Sequence, residues 1–397
     1  MQINYFSRYT ILALALILQI ASLATAQAQS KKQFLIVGLD EKQTYSDKGV
    51  GIAGPPGRDS VLIIDIGSSP LEPKIIASLP LANTISGPPV NLAINSNETL
   101  ALVANSMNVV EVDGKWKQVP DNRLFVIDLE ASPPALIDTI AIGNQPSGLS
   151  INKVGNLALV ANRADNSISV LRITGKKVEL IDTVVIGEQV SHVVFRPDGK
   201  TALASKFPGH KVAFLDVDGE KVTYKKYDVV VGLWPYNVAI TPNGKLAITA
   251  DNGNAGAADG NIDTVSIIDL EAIPPRVIDK VVVGDGPEGL AISPTGRLAV
   301  TALLKGSNSS KEAFFYNRNA EVVALKIDGK KVSLSNSVEV RGLPEGIAFS
   351  NDGRYIYVGN FIDQDISILR VDGDKIVNTG KSFSLPGHPA SIRSRFQ

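Results

Sequence analysis

The chain has no cysteine and only three histidines. That excludes disulfides, zinc-thiolate sites, iron-sulfur clusters and thiol nucleophiles, and leaves too few imidazoles for a His-rich metal centre. An excess of one charge is also missing. Lys+Arg number 39 against Asp+Glu 40, a formal net charge of -1, and no stretch gathers either sign. Nucleic acid and acidic lipid surfaces are therefore not the expected partners. Aromatics are sparse at 6%, yet 44% of the 397 residues are hydrophobic, enough for a sizeable core and too apolar for a disordered chain. No nucleophile elbow, phosphate-binding loop or dinucleotide fingerprint occurs, and nothing marks a haem, flavin or nucleotide cofactor.

What is present begins with an address. Arg8 precedes the apolar run Ile11 to Ala21, and small residues follow with two A-x-A sites, Ala24-Thr25-Ala26 and Ala26-Gln27-Ala28. This order reads as a secretory signal over residues 1–30, removed on export to a bacterial periplasm or the exterior. The run is shorter than the ~20 residues a membrane span needs, and Gln19 interrupts it. No span is expected in the mature chain, residues 31–397.

Internal repetition then decides the fold class. First strands recur at Asn91–Asn95, Gly148–Asn152, His192–Arg196, Asn237–Thr241, Gly289–Ser293 and Gly346–Ser350, at steps of 44 to 57 residues between equivalent turns. Tight turns such as Pro197-Asp198-Gly199 and Asn351-Asp352-Gly353 follow them, and Asp-Gly turns at 218–219, 328–329 and 372–373 lead from third to fourth strands. Each unit is a four-stranded antiparallel meander, with a spacing that suits a propeller blade. The ends complete each other: residues 34 to 86 hold a second, third and fourth strand without a first, and His388–Ile392 has the form of a first strand with nothing after it. Six whole blades and one shared blade make an all-β, seven-bladed β-propeller. Its ring closes by pairing the C-terminal strand with the N-terminal blade, which leaves no open edge and predicts a monomer.

Leu343-Pro344-Glu345-Gly346, Tyr357-Val358-Gly359-Asn360 and Thr264-Val265-Ser266-Ile267-Ile268-Asp269 resemble the YVTN-type repeat and the lactonase-like seven-bladed propellers related to it. The resemblance spans essentially the mature chain and implies the fold more strongly than any activity, because the scaffold serves binding proteins, hydrolases and lyases alike. It also implies that an Arg-His entry, a Pro-Asp-Gly turn and a later Asn-Glu carry the site in lactonase-type relatives. Here His192 and the turn match, Ser191 stands in place of the arginine and Lys206 in place of the glutamate.

Alternating strand direction places the Pro-x-Gly entries and all second-to-third loops on one rim, and the insertions at residues 39–58, 106–122, 252–263 and 303–319 all fall there. Insertions on one face of a repeat protein mark its binding face. The expected ligand is a small molecule, or a protein or peptide, held around the central channel by Asn91, Trp234, Tyr236, Asn237, Lys206, His210 and His388. Glu288 and Glu345, in paired Pro-Glu-Gly entries, are candidate ligands for a divalent cation such as Ca or Mg, since hard cations gather several oxygens. The alternative is a lactonase-like hydrolase, lyase or isomerase at the same face with His192 as base.

Overall fold

An Asn, Thr or Ser at the end of five of the first strands builds the recurring hairpin. Asn95 Oδ1 accepts the N–H groups of Thr99 and Leu100 at 2.9 and 3.0 Å, and Asn152 Oδ1 does the same for Asn156 and Leu157 at 3.0 and 3.2 Å. In later blades the hydroxyls of Thr241, Ser293 and Ser350 accept from Leu246, Leu298 and Tyr355. A side chain that satisfies these donors reverses the backbone within a few residues. Glycine takes the left-handed conformation in most of these turns, as at Gly199 and Gly353 with φ of 68° and 71°, and Glu98 takes it in blade 2 at 58°.

In the computed structural model, which describes residues 32–395, these hairpins assemble into seven four-stranded antiparallel sheets. The signal segment proposed for residues 1–30 lies outside the described residues. Blade 1 combines Phe34–Leu39, Ser60–Asp65 and Lys74–Leu79 with the final strand Pro389–Arg393. Blades 2 to 7 begin at Leu92–Ile94, Pro146–Ile151, Val193–Phe195, Pro235–Ile240, Pro287–Ile292 and Pro344–Phe349. First strands of neighbouring blades touch each other all the way round, so they line the axis. Closure follows the predicted pairing, with Ile36 opposite Arg393, Val37 opposite Ile392 and Gly38 opposite Ser391. A hydrogen bond from Asp40 N–H to the His388 carbonyl, 3.0 Å, extends it.

The core is divided among blade junctions. Strands apolar on both faces place side chains against both neighbours, and one buried cluster fills each gap. Leu102, Val126, Val160 and Leu171 meet between blades 2 and 3, and Val300, Val322, Ile356 and Val358 between blades 6 and 7. The junction that seals the ring, between blades 7 and 1, contains Leu35, Val37, Tyr357, Ile366 and Ile392. The last strand therefore contributes packing as well as hydrogen bonds.

Two insertions differ from the sequence reading. Residues 106–122 are not a loop, because strands Leu100–Val112 and Lys115–Asp128 run on as one long hairpin that closes at Asp113-Gly114. Residues 39–58 contain a small hairpin, Gln43–Tyr45 with Gly51–Ala53. Among the described residues the helical content is one 3-10 turn, Phe207–Gly209.

Candidate functional site

The loop-rich rim covers the axis instead of opening it. Ile85, Ala258, Leu304, Leu343, Phe361 and Ala390, brought from different blades, form an apolar cluster of their own, with Tyr45 and Phe315 packed against it. A buried charge network anchors one side of this cover. The Lys42 ammonium donates to Asp59 at 2.8 Å, to Asp40 at 3.2 Å and to the Asn83 carbonyl, and Asp40 accepts the Ile85 N–H at 2.9 Å. The first insertion is thereby tied to the segment that precedes blade 2.

The two predicted glutamates stand at adjacent blade entries but are only 3% exposed each. Burial raises both carboxyls. Glu288 reaches about 8, with the Arg163 cation pulling the other way, and Glu345 is lifted further by the charge of Glu288. Arg163 comes from blade 3, donates to the Tyr236 hydroxyl at 3.1 Å and stacks over the Phe207 ring at 4.8 Å. Asn91 commits its amide N–H to the Ala104 carbonyl at 2.7 Å, which leaves its oxygen without a protein partner. Asn237, Ser147 and Glu345 also carry buried polar atoms without protein partners.

These oxygens are of the kind a hard cation takes, but a calcium or magnesium ion needs about six of them, largely carboxylate. Among the described residues no three His, Asp or Glu side chains converge, and Arg163 already supplies positive charge beside Glu288. Burial and mutual repulsion favour the protonated form of both carboxyls.

The open space on this rim lies to one side of the cover. A cleft of about 510 Å³ separates the first insertion, at Tyr45 to Asp47, from Ser307 to Lys311, Tyr316 and Arg318, with Phe361 and His388 completing its wall. The two insertions are joined beside it: Lys48 bridges Ser310, and the Lys311 ammonium meets Asp47 at 2.7 Å. Tyr45 sits edge-on to Phe361 at 6.0 Å, and Phe361 lies 4.9 Å from the His388 ring. Burial, with the glutamate pair behind it, holds the Tyr45 hydroxyl protonated, so it acts as a donor. Arg318 grips Asp363 with two hydrogen bonds, 3.0 and 2.5 Å, and His388 Nδ1 lies 3.0 Å from Glu41 Oε1.

Trp234, Phe207 and Glu188 line a second, shallower depression of about 480 Å³. Trp234 packs edge-on to Phe207 at 5.5 Å, and its backbone N–H donates to His210 Nδ1 at 3.0 Å, so His210 serves to hold the blade entry. Tyr236 is buried under the loop at Gly256. Lys206, expected to face a ligand, is instead 4% exposed and held by Asp228 at 2.7 Å and Glu188 at 3.3 Å.

His192 lies in the channel, away from both depressions. Its ring rests on Gly148 of the preceding blade, where a Cβ would come within 2.6 Å. The Val238 N–H and the Arg393 guanidinium both approach its nitrogens at 3.4 Å. Burial, then the Arg393 charge, push its pKa well below the usual imidazole value, so it is neutral. Among the described residues no carboxylate bonds its ring, and Ser191, in the place of the arginine, turns its hydroxyl to the Pro235 carbonyl at 3.4 Å.

Of the predicted residues, the structure brings His388 to the open cleft, Trp234 to the second depression, and Asn91, Asn237, Glu288 and Glu345 to the buried axial layer. Tyr45, Tyr316, Arg318 and Arg163 escaped the sequence reading because they lie in turns and insertions, outside the repeat that organised it. All four are aromatics or arginines outside the repeated strands, which is the signal that was available.

No family model matches the sequence, and no curated protein matches it. Solved structures do match the fold. A candidate 6-phosphogluconolactonase from Bacteroides uniformis aligns with a TM-score of 0.70 at 14% identity, over 91% of this chain and 99% of that one. The periplasmic gluconolactonase of Pseudomonas aeruginosa aligns at 0.67 and 17% identity, over 92% and 99%. Hydrazine synthase from Kuenenia stuttgartiensis aligns at 0.60 and 18%, over 79% and 91%. The chain is thus a seven-bladed propeller of lactonase-like fold, and at these identities the likeness concerns fold alone.

Proposed function

We propose that this protein is an exported binding propeller that holds a neutral hydroxylated ring, a sugar or sugar lactone, in the cleft between its two insertions. The observation that carries the reading is the cleft itself, about 510 Å³ and built by segments the repeat does not require. Its chemistry supports the ligand class. Partly exposed aromatic rings at Tyr45 and Tyr316 offer surfaces to a sugar ring, and Lys311 and Arg318 already have carboxylate partners, which favours an uncharged ligand over an anion. The lactone-acting names of two structural neighbours point to the same class, and the Arg8-led apolar segment supports export to the periplasm.

Calorimetric titration with glucose, gluconate and glucono-δ-lactone tests the proposal. Neutral rings should bind more tightly than gluconate, and Tyr316→Ala should weaken them about tenfold, the loss of one stacking contact of ~1.4 kcal/mol. Equal affinity in the variant would reject the cleft. Lactone opening well above the spontaneous rate, lost in Tyr316→Ala, would convert the reading to the hydrolase.

A protein partner is the second reading, and one observation favours it. Phe314 is 92% exposed and Ile262 72% exposed, both on the loop-rich rim. Phe314→Ser should abolish capture of such a partner while leaving sugar titrations unchanged.

A further inference from the structure

Three polar groups without protein partners meet on the loop-rich rim where blade 2 adjoins blade 3. Ser147 follows the proline that opens blade 3 and is 1% exposed. Ser106, 2% exposed, stands where the pairing of Leu100–Val112 with Lys115–Asp128 slips between Asn105 and Met107. A slip of this kind re-aims a side chain away from the alternation of its strand. Arg163 comes directly after Leu157–Asn162, the second strand of blade 3. The hydroxyls of Ser106 and Ser147 and the Nε of Arg163 are buried, and none has a hydrogen-bond partner among the described residues.

Gly87 shows that the three side chains converge. A Cβ placed on it would lie 3.2 Å from Ser147 Oγ, 3.4 Å from Arg163 Nη1 and 3.8 Å from Ser106 Oγ. The bare face of this glycine is thus ringed by two hydroxyls and a guanidinium. Gly87 and Arg163 are both partly exposed, so the ring is reached from solvent.

The cation among them keeps its charge. Arg163 stacks over the rings of Phe207 at 4.8 Å and Tyr236 at 5.5 Å and donates to the Tyr236 hydroxyl at 3.1 Å. These partners are uncharged, and they fix the guanidinium in one orientation before any ligand arrives. Glu288, the carboxyl that feels its charge, is raised by burial to about 8 and is largely protonated at neutral pH. Asp121, near Ser106 in the same hairpin, is taken up by Arg123 and Asn105, and Asp165 accepts two N–H groups of Asn144. Buried donors left unpaired cost free energy that an acceptor restores, and a charged acceptor restores most.

We propose that Ser106, Ser147 and Arg163 form a binding site for a small oxyanion, the carboxylate or phosphate group of a ligand, separate from the cleft between the insertions. The anion accepts from both hydroxyls and from the guanidinium, and the absent side chain of Gly87 leaves it room.

Calorimetric titration of the full chain with inorganic phosphate and with acetate tests the site, and the tighter of the two tells a phosphate ligand from a carboxylate. Affinity should fall as sodium chloride is raised. Ser147→Ala should weaken the anion about tenfold without lowering the melting temperature, because the hydroxyl it removes has no protein partner to lose. Ser106→Ala combined with Ser147→Ala should weaken it further while leaving the stack of Arg163 on Phe207 untouched, and Arg163→Gln should abolish binding. Tyr316→Ala, in the cleft, should leave anion binding intact. Failure of both anions to bind the unaltered protein, or equal affinity in the double serine variant, would overturn the proposal and leave the hydroxyls to water alone. Neither result bears on the sugar cleft.

Discussion

At the scale of single residues, the molecule places ionisable groups where water cannot reach them, and its pH response follows. Glu288, Asp251 and Asp263 are raised from ordinary carboxyl values of 4.5, 3.8 and 3.8 to about 8, 6 and 6, each mainly by burial. The folded protein therefore binds more protons than the unfolded chain between roughly pH 4 and 8, and stability falls as pH rises through that window. His192 acts oppositely. Its folded value is depressed, so below the imidazole range the unfolded chain takes up a proton that the folded one refuses, and stability falls with acid. Denaturant midpoints measured from pH 5 to pH 8.5 should decline, and the double variant Glu288→Gln with Glu345→Gln should flatten the decline. An unchanged slope would place the titrating groups elsewhere. Lys42 gives a second residue-scale expectation: Lys42→Met leaves Asp40 and Asp59 facing each other in the interior and should cost roughly 3–5 kcal/mol in chemical denaturation. Little of this was legible beforehand. The glutamates were found because Pro-Glu-Gly repeats, whereas Lys42 and Arg163 gain their partners from segments distant in sequence, Asp59 and Asn83 for the one and Tyr236 for the other.

At the scale of elements, strand positions could be read because most carry their own stop: an Asn, Thr or Ser that caps the turn, as at Asn95, Thr241 and Ser293, and in most turns a glycine that takes positive φ. The long blade 2 hairpin was missed although it has the same signal. Asp113-Gly114 is an Asp-Gly turn like those at 218, 328 and 372, but it falls where the repeat unit places a loop, and periodicity overrode the local cue. The width of the axial channel could not be read at all, since it depends on how seven first strands approach one another. That approach is set in part by Gly148, where His192 occupies the place of a Cβ. Gly148→Ala should cost about 1–3 kcal/mol through overpacking, and Gly148→Ala combined with His192→Ala should recover most of it, as denaturant unfolding would show. A loop deletion is a poor probe by comparison. Within residues 303–319, Leu304 is fully buried and Ser307 accepts the Leu343 N–H at 2.8 Å, so removing the segment would damage the fold along with the site.

At the scale of the whole molecule, stability is distributed over blade junctions that are alike in kind, with one made by residues from opposite ends of the chain. Such a ring should unfold in a single transition, because opening any junction removes the support of its neighbours. Ile392→Asp puts an unpaired charge into the closing junction, and calorimetry should show either a large loss of melting temperature or a split transition. A melting curve like that of the unaltered protein would mean that closure adds little. The same arrangement governs how the protein is made. Since the innermost strand of the first sheet comes from residues 389–393, far along the chain from the other three, blade 1 keeps an uncovered edge until that strand docks. A chain lacking residues 389–393 would present that border to other chains, so these five residues guard the whole ring against association.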